Sequence, residues 1–86
     1  MAAEETRVQV EICGETYTLR AALPREHLVT VAGYVDRTIR DIMQRNPRLN
    51  LAKAAVLAAL NIADELQRLQ ESYDGLVKII EGERLK

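Results

Sequence analysis

From Ala55 to Ile80 the chain places an apolar or small side chain at alternating intervals of four and three residues: Ala55, Ala59, Ile62, Leu66, Leu69, Tyr73, Leu76 and Ile80. Spacing of this kind keeps one face of an α-helix apolar. Sustained over about three heptads it reads as a coiled-coil seam, with Ala59, Leu66, Tyr73 and Ile80 at a and Ile62, Leu69 and Leu76 at d. Nothing from Leu51 onward stops the helix, and Asn50 before it is a good cap. The spacing therefore predicts a helix of about 35 residues, roughly 50 Å long. The remainder of an 86-residue chain is too short to shelter that length, so a second chain is expected to cover it. Ile62, Leu66, Leu69, Tyr73, Leu76 and Ile80 are the expected oligomer interface. Val77 and Ile79 widen the seam near its end, as packing between two dimers would require.

Upstream the period changes from seven to two. Val8, Val10 and Ile12 alternate with Arg7, Gln9 and Glu11, and Tyr17, Leu19 and Ala21 alternate with Thr16, Thr18 and Arg20. Each stretch is a strand with one wet face. Cys13-Gly14-Glu15 between them supplies a tight reversal, so a β-hairpin is predicted. Pro24 can open a helix. From about Pro24 to Met43 a second apolar stripe follows, of Leu28, Val31, Ala32, Val35, Ile39 and Ile42. Asp36 and Arg40 stand four apart on its wet side, in the favourable order for an ion pair. Asn46-Pro47 ends this helix, because the residue before a proline avoids the helical region. In the first half of the long helix Val56, Leu57 and Leu60 add an apolar surface beside the seam. The hairpin and first helix are expected to lie against it. The predicted organisation is a disordered N-terminus over 1–5, a small α/β head over 6–60 in β-β-α-α order, and the coiled-coil part of the long helix over 61–86.

Several kinds of chemistry fit this sequence poorly. Aromatics make up only 3 %, with no Phe and no Trp, so a compact core this small is expected to need a partner. Twelve basic and thirteen acidic side chains give a formal charge of −1, which gives no support for nucleic-acid or anionic-membrane binding. No apolar run approaches the roughly 20 residues of a membrane span. The N-terminus lacks the pattern of a secretory signal, so a cytoplasmic protein is expected. Cys13 is the only cysteine and His27 the only histidine. Cys13 reads as a small turn residue and His27 as a solvated side chain at a helix start. Asp64 and Glu65 are adjacent, so on a helix they diverge and form no catalytic dyad. The glycines form no phosphate-cradling loop. No enzymatic activity, metal or cofactor is expected. Arg37, Arg40, Arg45 and Arg48 form a local basic cluster, a candidate contact for an acidic protein partner.

The segments Val8 to Leu19 (VQVEICGETYTL), Val31 to Arg40 (VAGYVDRTIR), Asn46-Pro47 with Leu49, and above all Ala54 to Leu66 (AAVLAALNIADEL) resemble the ZapA family of bacterial cell division proteins. The resemblance spans essentially the whole chain. It implies a small α/β head followed by a long helix, head-mediated dimers whose helices form a coiled coil, and two dimers joined antiparallel into a tetramer. It further implies binding to the tubulin-like GTPase FtsZ and bundling or cross-linking of its filaments at the mid-cell division ring, with no catalysis and no cofactor. The seam alone would equally permit a coiled-coil adaptor or scaffold of another pathway.

Overall fold

The computed structural model describes residues 5–85, with side chains from Glu5 to Val77. The expectations for residues 1–4 and for the side chains of Ile79 and Ile80 lie outside the described residues. The order is β1 (Thr6–Ile12), β2 (Glu15–Ala21), α1 (Arg25–Arg45) and α2 (Leu51–Leu85), as the alternation and the two helical stripes predict.

β1 and β2 pair antiparallel, with Val8 opposite Leu19, Val10 opposite Tyr17 and Ile12 opposite Glu15. The loop is therefore the two residues Cys13 and Gly14, both in the left-handed region, at φ 52° and 86°. Two positive φ angles give a turn whose twist matches that of the strands. Glycine adopts this conformation freely. Cys13 does so at a cost, because its Cβ crowds the following carbonyl.

α1 runs beneath β1, so the hairpin buries an off-centre strip of its apolar face. Val8 and Val10 pack on Leu28 and Ala32, flanked by Ile12, Leu19 and Ala21. Val8 is almost fully enclosed, and burial of a valine is worth about 1.5–3 kcal/mol. Tyr17 shares this face but lies on the strand that α1 does not underlie, and it stays exposed rather than covered as expected. α1 begins one residue later than predicted. Pro24 is its extended N-cap residue, and its carbonyl accepts from the N–H groups of His27 and Leu28. The helix continues to Arg45, two residues past the predicted end, and the Asn46 N–H closes on the Ile42 carbonyl. Of the predicted α1 stripe, Leu28, Ala32 and Ile39 are buried and Val35 and Ile42 half-buried, while Val31 is exposed. Leu28 and Ala32 face the hairpin, and Val31 lies about 80° around α1 from their mean direction, so it turns away from the sheet.

Asn50 caps α2, its side-chain oxygen accepting the Lys53 N–H at 2.8 Å. α2 then continues unbroken through Gly75. The head meets α2 through Ile39, Ala54 and Ala58, with Ile12, Cys13, Met43 and Ala55 around them. This corrects one expectation. The hairpin and α1 do not cover Val56, Leu57 and Leu60, which are all exposed. At 100° per residue those three point about 130° away from Ala54 and Ala58. On the α2 side of this junction it is the alanines that pack under Ile39 and Met43 of α1.

Candidate functional site

Beyond the head, α2 presents its seam to solvent. Leu66 is 62 % exposed, Leu69 69 %, Tyr73 66 % and Leu76 57 %, while Ile62, nearer the head, is half-buried. Leu66, Leu69, Gln70 and Tyr73 border one apolar groove. Arg68 and Asp64 pair at 2.9 Å along the polar side of the helix, and Gln67 donates to Glu71 at 3.2 Å. The exposed side chains therefore form an apolar stripe bounded by polar residues held by their own i,i+4 partners. Such a stripe is suited to burial against another apolar surface.

The four arginines do not form one cluster. Arg40 donates through Nε to both Asp36 oxygens at 3.0 Å. Arg37 and Arg45 border a polar cleft between α1 and α2, with Asp41 between them on α1 and Asn61, Asp64 and Glu65 across it on α2. Arg48 stands in the connecting loop. Arg40 and Arg45 diverge by about 140° around α1, so no single flat partner surface meets all four at once.

Two polar contacts position the head, and sequence reasoning missed both. The Cys13 backbone N–H donates to Asp36 Oδ1 at 2.7 Å, tying the strained turn to α1. That N–H and then the Arg40 guanidinium hold the Asp36 carboxyl below the usual carboxylate range. Partial burial, followed by the Asp36 charge, pushes the Cys13 thiol up. The thiol is thus kept protonated, the reverse of what a nucleophile needs. The second contact joins the helices: the Tyr34 hydroxyl donates to Glu65 Oε1, and that bond foremost pushes the tyrosine's pKa up, holding the hydroxyl protonated. Asp64 meanwhile turns to Arg68, so the adjacent carboxylates diverge as their helical spacing predicts. Tyr34 and Glu65 are 31 residues apart. Periodicity could place each on a polar flank of its helix, but not show that the two flanks meet.

His27 is exposed on the first turn of α1. Among the described residues no group of three or more His, Cys, Asp or Glu side chains could hold a metal ion. No described helix is long and apolar enough to cross a membrane.

Comparison with known proteins adds an independent line. The family model described as cell division protein ZapA matches residues 8–86. The chain is 38 % identical over 81 residues to cell division protein ZapA of Geobacillus sp. (strain WCH70), covering 94 % of this chain and 93 % of the relative. It is 37 % identical over 73 residues to the protein of that name from Bacillus subtilis (strain 168), covering 85 % and 86 %. Among solved structures it is similar to a ZapA mutant dimer from Geobacillus stearothermophilus, with a TM-score of 0.72, 36 % identity and 91 % of each chain covered.

Proposed function

This chain belongs to the ZapA family of cell division proteins, and from that premise we propose that it binds FtsZ filaments and bundles or cross-links them at the mid-cell division ring of the cytoplasm. The family is one of structural division proteins rather than enzymes. The observation that carries the reading is the solvent-facing stripe of Leu66, Leu69, Tyr73 and Leu76 on a helix that outruns its own head. A stripe of that size left in water favours association, and the similar Geobacillus stearothermophilus chain is a dimer.

In this reading residues 6–60 are the head and 61–86 the rod. Ile62, Leu66, Leu69, Tyr73, Leu76 and Ile80 pair the helices into a coiled coil, and two dimers join antiparallel into a tetramer. The heads then sit at separated ends, and each holds exposed arginines, Arg37, Arg45 and Arg48, toward an acidic filament surface. Arg40 is engaged by Asp36 and contributes less. Two weak head contacts on one rigid body raise the effective concentration of the second far above that of a free head.

The test is co-pelleting and light scattering of FtsZ polymers with the full chain and with a chain ended after Leu66, at equal head concentration. The full chain is expected to pellet with polymer and raise scattering. The shortened chain keeps the head but loses Leu69, Tyr73, Leu76 and Ile80; it is expected to bind while bundling poorly. Failure of the full chain to pellet with FtsZ overturns the reading. Equal bundling by a verified shortened dimer moves the cross-link from rod to head.

A further inference from the structure

Gln70 stands apart from the polar residues around it. Gln67 donates to Glu71 and Arg68 to Asp64 along the outer side of α2, whereas the Gln70 side chain makes no hydrogen bond among the described residues. It borders the apolar groove of Leu66, Leu69 and Tyr73 instead. In the heptad Gln70 is an e position, and Ala63 and Val77 are the e positions one heptad to either side. This flank lies about 140° around α2 from Ala54 and Ala58, which the head covers. The g flank begins against the head, because Glu65 there is bonded to Tyr34 of α1. Once a and d are taken up by the coiled coil, the e flank is the side of the rod that is open to a second dimer.

The three e residues differ in what they accept as a neighbour. Ala63 and Val77 can be buried against any apolar group. The Gln70 amide has both donors and an acceptor, and burying it without a partner is costly. Two antiparallel helices bring the e residues of one against the e residues of the other. When Gln70 meets Gln70 of a second dimer, each amide can donate to the other's carbonyl. The same offset sets Ala63 beside Val77, and stacks Leu66 on Leu76 and Leu69 on Tyr73. A slide of one heptad, about 10 Å, moves Gln70 onto Ala63 or onto Val77. The amide then faces an apolar side chain, with water excluded and nothing to bond.

We propose that Gln70 is a self-pairing register key: it meets Gln70 of a second dimer on the two-fold axis of the rod and fixes how far two antiparallel dimers overlap. The occupant of the e flank is thus a second copy of this chain. The proposal rests on the tetramer of the reading above, and adds to it the residue that selects one overlap among those a heptad repeat allows. The overlap in turn sets the distance between the two pairs of heads. It does not depend on FtsZ being the filament, so a failed FtsZ pelleting experiment leaves it untouched.

Sedimentation equilibrium of the full chain checks the premise: a mass that stays at two chains overturns the tetramer and the key together. Gln70→Glu and Gln70→Lys each set like charges on the axis. Each alone is expected to halve the mass, from tetramer to dimer, at neutral pH and low salt. Mixed in equal amounts they are expected to return to the tetramer mass, since a dimer of one then meets a dimer of the other. Gln70 is exposed in the single chain, and an unchanged circular-dichroism spectrum verifies the fold. The overlap itself is read by linking. On a Cys13→Ser background, chains with Ala63→Cys and chains with Val77→Cys are expected to be joined by a short bis-maleimide. Within one helix or a parallel pair those positions lie about 21 Å apart along the axis, beyond its reach. Adding Gln70→Leu is expected to lower the yield of that link at least three-fold at unchanged mass, as slid overlaps appear. The key is overturned, with the tetramer left standing, by a tetramer of either charged variant alone, by an equal mixture that stays dimeric, or by a tetramer without the link between positions 63 and 77. A fall of the charged variants to single chains overturns it too, since residue 70 then acts within the dimer.

Discussion

α2 is one unbroken helix with two different halves. In its first two turns Ala54 and Ala58 are buried by the same chain, whereas four turns on, Leu66, Leu69, Tyr73 and Leu76 keep more than half of their surface in water. The buried residues are the smallest apolar ones on the helix and the exposed residues are among the largest. Side-chain size here reports the distance to what covers it. α1, joined to α2 by a five-residue loop and the Tyr34–Glu65 bond, sets Ile39 and Met43 over the two alanines. A face awaiting a separate helix carries knobs long enough to interdigitate with it. The head is therefore stabilised within the chain, whereas the proposed rod would be stabilised by association, and each half should respond to a different kind of damage.

The largest effect is expected from Leu69→Asp, which sets an unpartnered carboxylate into the seam. Removing such an ion from water costs several kcal/mol. Sedimentation should show a smaller species, with a lower Tm that no longer depends on protein concentration. An unchanged mass would break the comparison, because Leu69 would then not be in the association face. Ala58→Leu attacks the other half. Overpacking a site with no free volume costs about 1–3 kcal/mol. This change should lower Tm in the full chain and in a chain ended after Leu66 alike, by similar amounts.

Acid sharpens the contrast further. The Asp36 carboxyl is held below its usual range in the folded head, so its contribution is present above the pKa of an unfolded aspartate. It is lost as pH falls through the lower folded value. Asp36→Asn should lower Tm by a few degrees at neutral pH, remove part of the acid sensitivity of the full chain, and leave the mass unchanged. The smallest effect is expected at Gly33. A Cβ there meets nothing nearer than the Arg37 guanidinium at 4.0 Å. Gly33→Ala should therefore stabilise by roughly 0.5–1 kcal/mol through helix propensity alone, seen as a higher Tm at constant mass.

Much of the fold is written in local pattern. The alternation of Val8, Val10 and Ile12, the Cys13-Gly14 reversal, the Asn50 cap and the Asp36–Arg40 pair all depend on neighbours within four residues or on a turn. The structure places each where spacing puts it. What spacing misjudges is which face of α2 the head takes. Hydrophobicity favours Val56, Leu57 and Leu60 over Ala54 and Ala58, yet close packing of two helices selects the alanines. The Cys13–Asp36 and Tyr34–Glu65 bonds were out of reach for a related reason, since each joins elements whose crossing only the fold determines. The dispersal of the four arginines follows from the same limit: closeness along the chain says nothing of direction around a helix.

The continuity of α2 through Gly75 has a geometric consequence. Each residue added to a straight helix advances it by 1.5 Å and turns it by 100°, so reach and orientation cannot be altered separately. Lengthening the rod by seven residues would carry its far end about 10 Å outward with a rotation error of only about 20°. Lengthening it by five would swing that end to the opposite side of the axis. The molecule is thus a ruler whose graduations are whole heptads, and any change in its length outside them also changes the way its ends face.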